Sequence, residues 1–422
     1  MKTILVTLVF GLRVMTAHAQ PDSLDIKIGQ MILIGMPEAK VDPIVLEEVR
    51  RGKVGTLILF EKNVPKSTNA FFPLKKMIWT YQQAAPIPLF IAIDQEGGKV
   101  NRLKEKYGFP RSVTARALGK AGTLDSVRFY AEALASNLAG LGINVNFAPC
   151  VDLAVNPNNT VIFKVERSFS AYADSVGLLA QEYIKQHRKY GVITSLKHFP
   201  GHGSSLEDTH FGVADVTQTW TENELIPYKR LLDSGYVDAV MTSHIVNKKL
   251  DSKGLPGTLS KEILDGILRK KIGFDGVVFS DDMQMHAIAK QYGLEESIKL
   301  AINAGVDILC FSNNISGSET RTVDRVFAII RTAVEKGEIP QARIDQSFAR
   351  IMALKKKLYQ TEADYYRTRM IQAEQRAAKQ QMQAERAAQR NKELLERSQA
   401  EMDAAIQESA KAEKKKRKKK SS

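Results

Sequence analysis

Cysteine is scarce in this chain, since Cys150 and Cys310 are the only two among 422 residues. The sequence contains no CxxC pair, no HExxH segment and no Cys/His cluster with zinc-finger spacing, so a structural metal site has no support. Both cysteines lie in or beside apolar, β-like runs, where buried free thiols are common. A disulfide is therefore allowed by the composition but not implied by it.

Long apolar runs are also missing. The only run that is apolar enough to be considered as a membrane span is Thr3–Leu12. It has ten residues and is too short to cross a bilayer as a mature helix. Lys2 precedes this run and the small-x-small segment Ala17-His18-Ala19 follows it, which predicts a signal peptide over residues 1–19 and export to the periplasm or the medium. The alternative interpretation is an N-terminal core strand. No Cys follows the predicted cleavage site, which argues against lipid attachment there.

Glycine and proline disappear after Pro340, and from about Tyr365 the sequence is dominated by Ala, Gln, Glu, Arg and Lys. Residues 361–422 carry about +6 of the formal net charge of +14, most of it in the final KAEKKKRKKK. This composition predicts a charged tail with exposed helix and a disordered basic end. The tail is either a solvated extension or an electrostatic contact to anionic envelope polymers or lipid headgroups, and export would exclude nucleic acid.

The region 20–360 contains eight apolar, β-branched runs separated by stretches long enough to hold a helix. Continuous apolar strands that alternate with helices are typical of a parallel sheet covered on both faces, and eight of them predict an α/β fold of the (β/α)8 type. The runs are MILIGM at Met31, VGTLILF at Val54, LFIAID at Leu89, INVNFAP at Ile143, VITSLKHF at Val192, AVMTSHIV at Ala239, GVVFSDD at Gly276 and DILCFSNN at Asp307.

Polar side chains follow six of these runs. Because the carboxyl ends of barrel strands share one rim, and active sites of such barrels lie there, the sequence predicts a functional site on that rim. A capping or turn role is the alternative for each residue taken alone. The residues are Asp94, Asn146 with Asp152, Lys197 with His198, His244, Asp281 with Asp282, and Asn313.

The segment FSDDMQM supplies a candidate nucleophile. Hydrolysis of a glycosidic bond needs a carboxylate beneath the anomeric carbon and a proton donor at the leaving oxygen. Asp281 follows Val277-Val278-Phe279-Ser280, so a rigid strand would deliver its carboxylate to the rim. Asp282 should point elsewhere, because successive strand residues face opposite ways. Sequence alone does not choose between the two aspartates.

The segment KHFPGHGSSLEDTH supplies a candidate proton donor. Asp208 and His210 are two residues apart in a Gly- and Ser-rich loop, and in extended backbone such a pair projects to the same side. The carboxylate can fix the imidazole tautomer and raise its proton affinity, so that the ring acts first as general acid and then as base. A surface histidine without a catalytic role is the alternative.

Several motifs in order extend this pattern over about Leu24 to Leu358. Together they resemble family 3 of the glycoside hydrolases, in particular the bacterial β-N-acetylhexosaminidases built as a single barrel domain. The motifs are IDQEGGKVNRL at Ile93, GINVNFAPCVDLAVNP at Gly142, ERSFS at Glu166, KHFPGHG at Lys197, MTSHI at Met241, GFDGVVFSDDMQM at Gly273 and AINAGVDILCFSNN at Ala301.

The resemblance implies a role for each matching position. Asp281 would be the nucleophile of a retaining enzyme, His210 the acid/base and Asp208 its carboxylate partner. An oligosaccharide ending in a β-linked N-acetylhexosamine, from cell-wall fragments or chitin-like chains, would be the substrate, and no cofactor or metal would be required. The positions expected to hold the terminal sugar are Asp94, Arg102, Arg167, Lys197 and His198.

The sequence departs from the family pattern at a few positions. Lys99 stands where arginine is more usual, and Ser204, Ser205 and Glu207 replace the commoner Asp-Thr opening of the acid/base loop. Neither change removes a catalytic group. Glu207 nevertheless creates a rival proton donor.

Four other functions stay open at the level of sequence. A β-glucosidase or xylosidase of the same family would draw its acid/base from a second domain, for which this chain has no room. A phosphorolytic enzyme is conceivable because a histidine acid/base does not repel phosphate. A metal-dependent hydrolase would use His198, His202, His210 and His244 with the aspartates. A non-catalytic barrel would bind sugar without turnover.

Overall fold

Eight parallel strands form a closed barrel in this computed structural model. Its order is β1-β10-β9-β7-β5-β4-β3-β2, and pairing of β1 with both β10 and β2 closes the ring. Each of the eight apolar runs contains one barrel strand, so the predicted (β/α)8 fold is confirmed. The barrel strands are β1 (Ile32–Gly35), β2 (Thr56–Leu59), β3 (Phe90–Ile93), β4 (Val145–Asn146), β5 (Ile193–Phe199), β7 (Ala239–Thr242), β9 (Val277–Asp282) and β10 (Ile308–Phe311), while β6 (Ala214–Asp215) and β8 (Ile245–Val246) pair separately.

Helices return the chain between successive parallel strands, as parallel pairing requires. They are α1 (Ser23–Gln30), α2 (Pro43–Arg50), α3 (Phe71–Ala84), α4 (Ala115–Ala121), α5 (Leu124–Leu141), α6 (Ala173–Lys189), α7 (Ile226–Asp233), α8 (His286–Ala304), α9 (Val323–Glu335) and α10 over residues 341–358. A π-helix (Glu262–Lys271) follows β7, and short 3-10 turns cover Glu61–Asn63, Glu105–Tyr107, Glu222–Leu225 and Gly257–Leu259.

The structure describes residues 23–206, 212, 214–315, 323–358 and 389. The chain divides into two compact units, Met1–Tyr359 and Gln360–Ser422, and the barrel belongs to the first. The predicted signal peptide 1–19 and nearly all of the predicted tail 361–422 lie outside the described residues. Within the described ranges, no helix combines the length and apolarity that a membrane span requires.

Local side-chain chemistry sets several helix ends. The Asp42 carboxylate accepts hydrogen bonds from the backbone N–H groups of Ile44 and Val45 at 2.9 and 3.0 Å, which satisfies two donors at the start of α2. The Thr123 hydroxyl caps α5 in the same way. Gly142 ends α5 with a φ of 86°, a left-handed conformation that favours glycine.

The barrel interior is filled by side chains from several strands. Phe279 packs edge to face against Phe90 and Phe147, with ring centroids 6.4 and 5.1 Å away. Strands β1, β2, β3, β5, β7 and β10 are buried at every residue, so both of their faces are covered. This explains why their sequences are continuously apolar rather than alternating.

A buried lysine on α10 lies against the amino-terminal ends of the first strands. Lys355 is fully buried, and its Nζ donates to Gln30 Oε1 at 2.6 Å and to the Gly55 carbonyl at 3.0 Å. The same nitrogen lies 4.9 Å from the centroid of the Phe90 ring. Burial lowers the pKa of the Lys355 ammonium from its usual value of 10.5 to about 7.

This lysine should make stability depend on pH. Its folded-state pKa is depressed, so between about pH 7 and 10.5 the unfolded chain binds more protons and stability rises with pH. Compared with Lys355→Met, the wild type should gain up to about 1.4 kcal/mol of unfolding free energy per pH unit in that window. Urea titrations at several pH values measure this difference. The exposed Lys76→Met is the control, and curves for Lys355→Met that run parallel to the wild type would contradict the prediction.

Candidate active site

A cavity of about 570 Å³ opens at the carboxyl ends of the barrel strands. The cavity brings together six of the eight site residues predicted from sequence, namely Asp94, Arg102, Arg167, Lys197, His198 and Asp281. The other two, Asp208 and His210, lie outside the described residues, as does Glu207.

Lys197 connects two carboxylates beside the cavity. It is 1% exposed, and its Nζ lies 2.7 Å from Asp94 Oδ1 and 2.7 Å from Glu96 Oε1. Burial would lower the pKa of this ammonium, but the two carboxylates outweigh burial and raise it. Burial would likewise raise the pKa of Asp94, but Lys197 and Arg102 hold it below the usual range. The pair is therefore ionised at neutral pH.

Arg167 extends this network through Glu96. Its Nη2 and Nε donate to the two oxygens of the Glu96 carboxylate at 2.7 and 2.9 Å, a bidentate arrangement. Burial opposes ionisation of Glu96, but Arg167 and Lys197 outweigh it and lower the pKa of the carboxyl to about 2. Glu96 also holds the pKa of Arg167 above its ordinary value in spite of burial. The positions of Lys197 and Arg167 thus depend on one shared glutamate.

The Asp152 carboxylate fixes the histidines of the KHFPGHG segment. It accepts from His198 Nδ1 at 2.6 Å and from the backbone N–H of His202 at 2.7 Å. Burial would raise the pKa of Asp152, but its hydrogen bonds with His198 and His202 hold it below the usual range. Arg167 Nη2 lies 3.0 Å from His198 Nε2. Because a guanidinium only donates, this Nε2 accepts and the His198 proton sits on Nδ1.

Arg102 lies on the other side of Asp94. One guanidinium nitrogen is 3.7 Å from Asp94 Oδ2, and the group lies over the Phe60 ring at 5.7 Å from its centroid. The Gln95 side chain accepts from the Arg102 backbone N–H at 2.9 Å, which holds the returning chain near the end of β3. About a quarter of the arginine side chain is exposed, so its donors can meet a ligand.

The two aspartates at the end of β9 have different surroundings. Asp282 is buried, accepts from the Ser312 hydroxyl, and accepts from the Gln284 backbone N–H at 3.0 Å. Burial raises its pKa to about 6. Asp281 is only partly buried and lines the cavity, while its Oδ1 accepts from the Asp282 backbone N–H at 2.8 Å. Both aspartates border the cavity, but the Asp282 carboxylate is engaged by Ser312 and Gln284, whereas Asp281 is the more exposed of the two.

Four of the polar residues at strand ends do not line the cavity, and Asp152, described above, is one of them. Asn146 donates to the Gln95 carbonyl and to His187, whereas His244 contacts Thr258 and the Asp282 carbonyl. Asn313 exchanges hydrogen bonds with the Gln284 side chain. The side chains of these residues are used in hydrogen bonds within the protein, which hold the strand ends and their loops in place.

One trio offers the donor atoms that a metal ion could use. Cys150 Sγ, Asp152 and His198 lie within 4.8 Å of one another and are buried. Asp152, however, already accepts hydrogen bonds from both residues and from two backbone N–H groups. Burial also raises the pKa of the Cys150 thiol well above its usual value, which disfavours the thiolate that binds metals. The trio therefore fits a hydrogen-bonded cluster better than a metal site. Both cysteines are free thiols.

Sequence reasoning missed two residues of the site. Glu96 is two residues beyond Asp94, and in an extended chain this spacing places both side chains on the same side. That spacing is the sequence signal from which Glu96 could have been predicted as a site residue. His202 lines the cavity from the turn that follows β5. The motif KHFPGHG contains this histidine, but the geometry of the turn, which the sequence does not show, places it in the cavity.

A cavity of cationic and anionic side chains at the carboxyl end of a (β/α)8 barrel defines an enzyme-like barrel suited to a polyhydroxylated ligand. The chain belongs to glycosyl hydrolase family 3, because residues 23–354 match the family's N terminal domain. The resemblance inferred from sequence is thus confirmed.

Individual relatives agree with this assignment. The chain is 33% identical to a beta-hexosaminidase A of Pseudoalteromonas piscicida over 76% of its own length and 56% of the relative's. It is 34% identical to a beta-hexosaminidase of Tolumonas auensis over 68% of its length and 84% of the relative's. The solved family 3 beta-N-acetylglucosaminidase from Paenibacillus superposes with a TM-score of 0.74 at 34% identity, covering 80% of this chain and 63% of that one. The chain therefore spans little more than half of the first relative.

Proposed function

We propose that this family 3 glycosyl hydrolase removes terminal, non-reducing β-linked N-acetylhexosamine residues from oligosaccharides with retention of configuration. The observation that carries the proposal is the position of Asp281, which faces the same cavity as the Asp94–Lys197 pair. The names of the relatives, beta-hexosaminidase and beta-N-acetylglucosaminidase, support the sugar specificity.

In the proposed first step, an oxygen of Asp281 bonds to the anomeric carbon and the glycosidic oxygen leaves with a proton from His210. In the second step His210 takes a proton from water, whose oxygen displaces Asp281. Asp208 would orient the imidazole and stabilise its cation. The hydrogen bond from the Asp282 backbone N–H to Asp281 Oδ1 at 2.8 Å supports the role of Asp281 as nucleophile, because it orients the Asp281 carboxylate before reaction.

The remaining cavity residues would bind the terminal sugar. An ionised Asp94 accepts from sugar hydroxyls, and Lys197, Arg102 and Arg167 provide donors around it. His198 is held in one tautomer by its contacts with Asp152 and Arg167. Both cell-wall fragments and chitin-like chains present a terminal β-linked N-acetylglucosamine, and both therefore fit the proposal.

Specificity can be tested with paired aryl β-glycosides that differ only in the 2-acetamido group. We expect a clear preference, at least about tenfold in kcat/KM, for the N-acetylglucosaminide, which corresponds to about 1.4 kcal/mol. Activity should not require added phosphate and should persist in a chelator. A preference for the glucoside would overturn the specificity, and dependence on phosphate would indicate phosphorolysis.

We also propose that the protein is exported and that its tail holds it near the cell envelope. The apolar run Thr3–Leu12 with its following Ala17-His18-Ala19 supports export, and the sequence KKKRKKK supports attraction to anionic polymers or headgroups. Both segments lie outside the described residues.

Deleting the residues after about Tyr365 should leave kcat/KM within about twofold of the full chain but release the enzyme from envelope fractions at low salt. Full-length enzyme should be released in the same way as ionic strength rises, because salt screens the tail. Fractionation of cells that produce each form measures this, and N-terminal sequencing of the mature protein should begin at Gln20. Unchanged fractionation of the truncated chain would count against attachment.

A further inference from the structure

His202 carries a nitrogen that the described part of the protein does not satisfy. The side chain lines the cavity and is 1% exposed, yet its Nε2 has no hydrogen-bond partner among the described residues. Buried polar atoms in proteins nearly always have a partner, so such an atom at a cavity wall is available to a molecule bound in the cavity.

The His202 ring is held firmly by its other atoms. Its Nδ1 lies 2.7 Å from the Ser205 hydroxyl, its backbone N–H donates to Asp152 at 2.7 Å, and its carbonyl accepts from Asn159 Nδ2 at 2.8 Å. Asn159 also donates to the Ser205 hydroxyl at 3.1 Å, which fixes the partner of the ring. The direction of Nε2 is therefore set before any ligand arrives.

Most neighbouring polar groups of the cavity differ from His202, and the exception is Arg102, whose buried Nε also lacks a partner among the described residues. Both nitrogens of His198 are occupied, one by Asp152 and the other by Arg167. Lys197 is shared between two carboxylates. His286 also has an unpartnered Nε2, but it is only half-buried and no comparable set of contacts fixes its ring. Among these groups, His202 combines a ring held in a fixed orientation with a nitrogen that can still form a hydrogen bond.

The protonation of His202 limits what it can bind. Burial and the neighbouring His198 lower the pKa of His202 to about 4, so the ring is neutral at neutral pH. A neutral imidazole offers one N–H and one lone pair, and Nε2 remains unsatisfied in either tautomer. This chemistry suits a hydroxyl or an amide group rather than a carboxylate or a phosphate.

We propose that Nε2 of His202 hydrogen-bonds a neutral polar substituent of the sugar in the cavity, either a hydroxyl or the 2-acetamido group, and thereby helps to determine specificity. The inference rests on the proposed function in one respect, namely that the ligand is a sugar. It assigns a substrate contact to the second histidine of KHFPGHG.

Two substitutions separate this contact from the role of the ring in packing. Asparagine places its amide near the position of Nδ1 and keeps a partner for Ser205, whereas glutamine reaches the position of Nε2. We expect His202→Asn to lower kcat/KM on an aryl β-N-acetylglucosaminide by about 10- to 100-fold. His202→Gln should retain at least about fivefold more activity than His202→Asn. The dissociation constant of free N-acetylglucosamine, measured by calorimetry, should follow the same order.

His187 offers a matched control. It is also fully buried, but its Nδ1 contacts the Tyr183 carbonyl and its Nε2 contacts Asn146, each at 3.0 Å. Replacing it by Asn or Gln should lower Tm as any such change in the core does, without a consistent contrast between the two variants in sugar affinity. Tm is measured for all four variants, so that loss of fold is separated from loss of binding.

The outcomes distinguish this inference from the proposed function. If the wild type preferred the aryl glucoside, the proposed specificity would fail, and the contrast between His202→Asn and His202→Gln would then be measured on that substrate. A contrast confined to the acetamido substrate identifies the acetamido group as the partner, and a contrast on both substrates identifies a hydroxyl. Equal losses of kcat/KM and sugar affinity in both His202 variants, or no loss in either, would contradict the proposed contact.

Discussion

Replacing Asp281 by asparagine should lower kcat/KM on aryl β-N-acetylglucosaminides by about 1000-fold or more, because a neutral amide cannot form the glycosyl ester of a retaining mechanism. Such a loss corresponds to about 4 kcal/mol of transition-state stabilisation. The substitution should leave the fold intact, since an amide oxygen can still accept the hydrogen bond from the Asp282 backbone N–H. Steady-state kinetics and Tm of the variant measure both expectations.

Asp282→Asn is the matched control for this substitution. The Asp282 carboxylate accepts from the Ser312 hydroxyl and the Gln284 backbone N–H, and an amide can accept only through its single oxygen. We expect a loss of about 1 to 3 kcal/mol in unfolding free energy and a much smaller loss of kcat/KM than in Asp281→Asn. Tandem mass spectrometry of wild type trapped with a slow substrate should place the sugar on Asp281 rather than on the adjacent Asp282. If Asp282→Asn were the inactive variant, the two roles would have to be exchanged.

The barrel could be predicted from sequence because its signal is local. Each barrel strand lies inside an apolar run, and burial on both faces makes such runs continuous. The small sheet of β6 and β8 could not be predicted, since Ala214–Asp215 and Ile245–Val246 are too short to show a periodic pattern. The π-helix over Glu262–Lys271 likewise has no signature in residue spacing that separates it from an α-helix.

From the residue pattern alone, the site could be predicted only where its residues follow strand ends, whereas Arg102 and Arg167 follow only from the family resemblance. Asp94, Lys197 and Asp281 follow strand ends, and the structure places all three at one cavity. Glu96 escaped prediction because its importance comes from its partner Arg167, which is 71 residues further along the chain. The choice between the two aspartates of β9 required the contact to Ser312, which no pattern within β9 contains.

His210→Ala should lower kcat/KM on substrates with poor leaving groups by about 100- to 10,000-fold, the range that a positioned general acid contributes. Substrates with acidic phenol leaving groups depart with little protonation, so formation of the glycosyl-enzyme from them should suffer much less. The second step still needs a base, and glycosyl-enzyme should therefore accumulate with such substrates. A burst of phenol followed by a slow steady state would report that accumulation.

Glu207→Ala separates the two proton donors that the sequence offers in this loop. If the loop is extended, Glu207 would project to the opposite side from Asp208 and His210, so its removal should change kcat/KM by less than about threefold on both classes of substrate. The dependence on leaving group is the decisive measurement, because a merely structural loss would affect both classes alike. An active His210→Ala enzyme, combined with a leaving-group dependence that appears only in Glu207→Ala, would transfer the acid/base role to the glutamate. The reaction would then use two carboxylates, as in most glycosidases, and the Asp208–His210 pair would need another explanation.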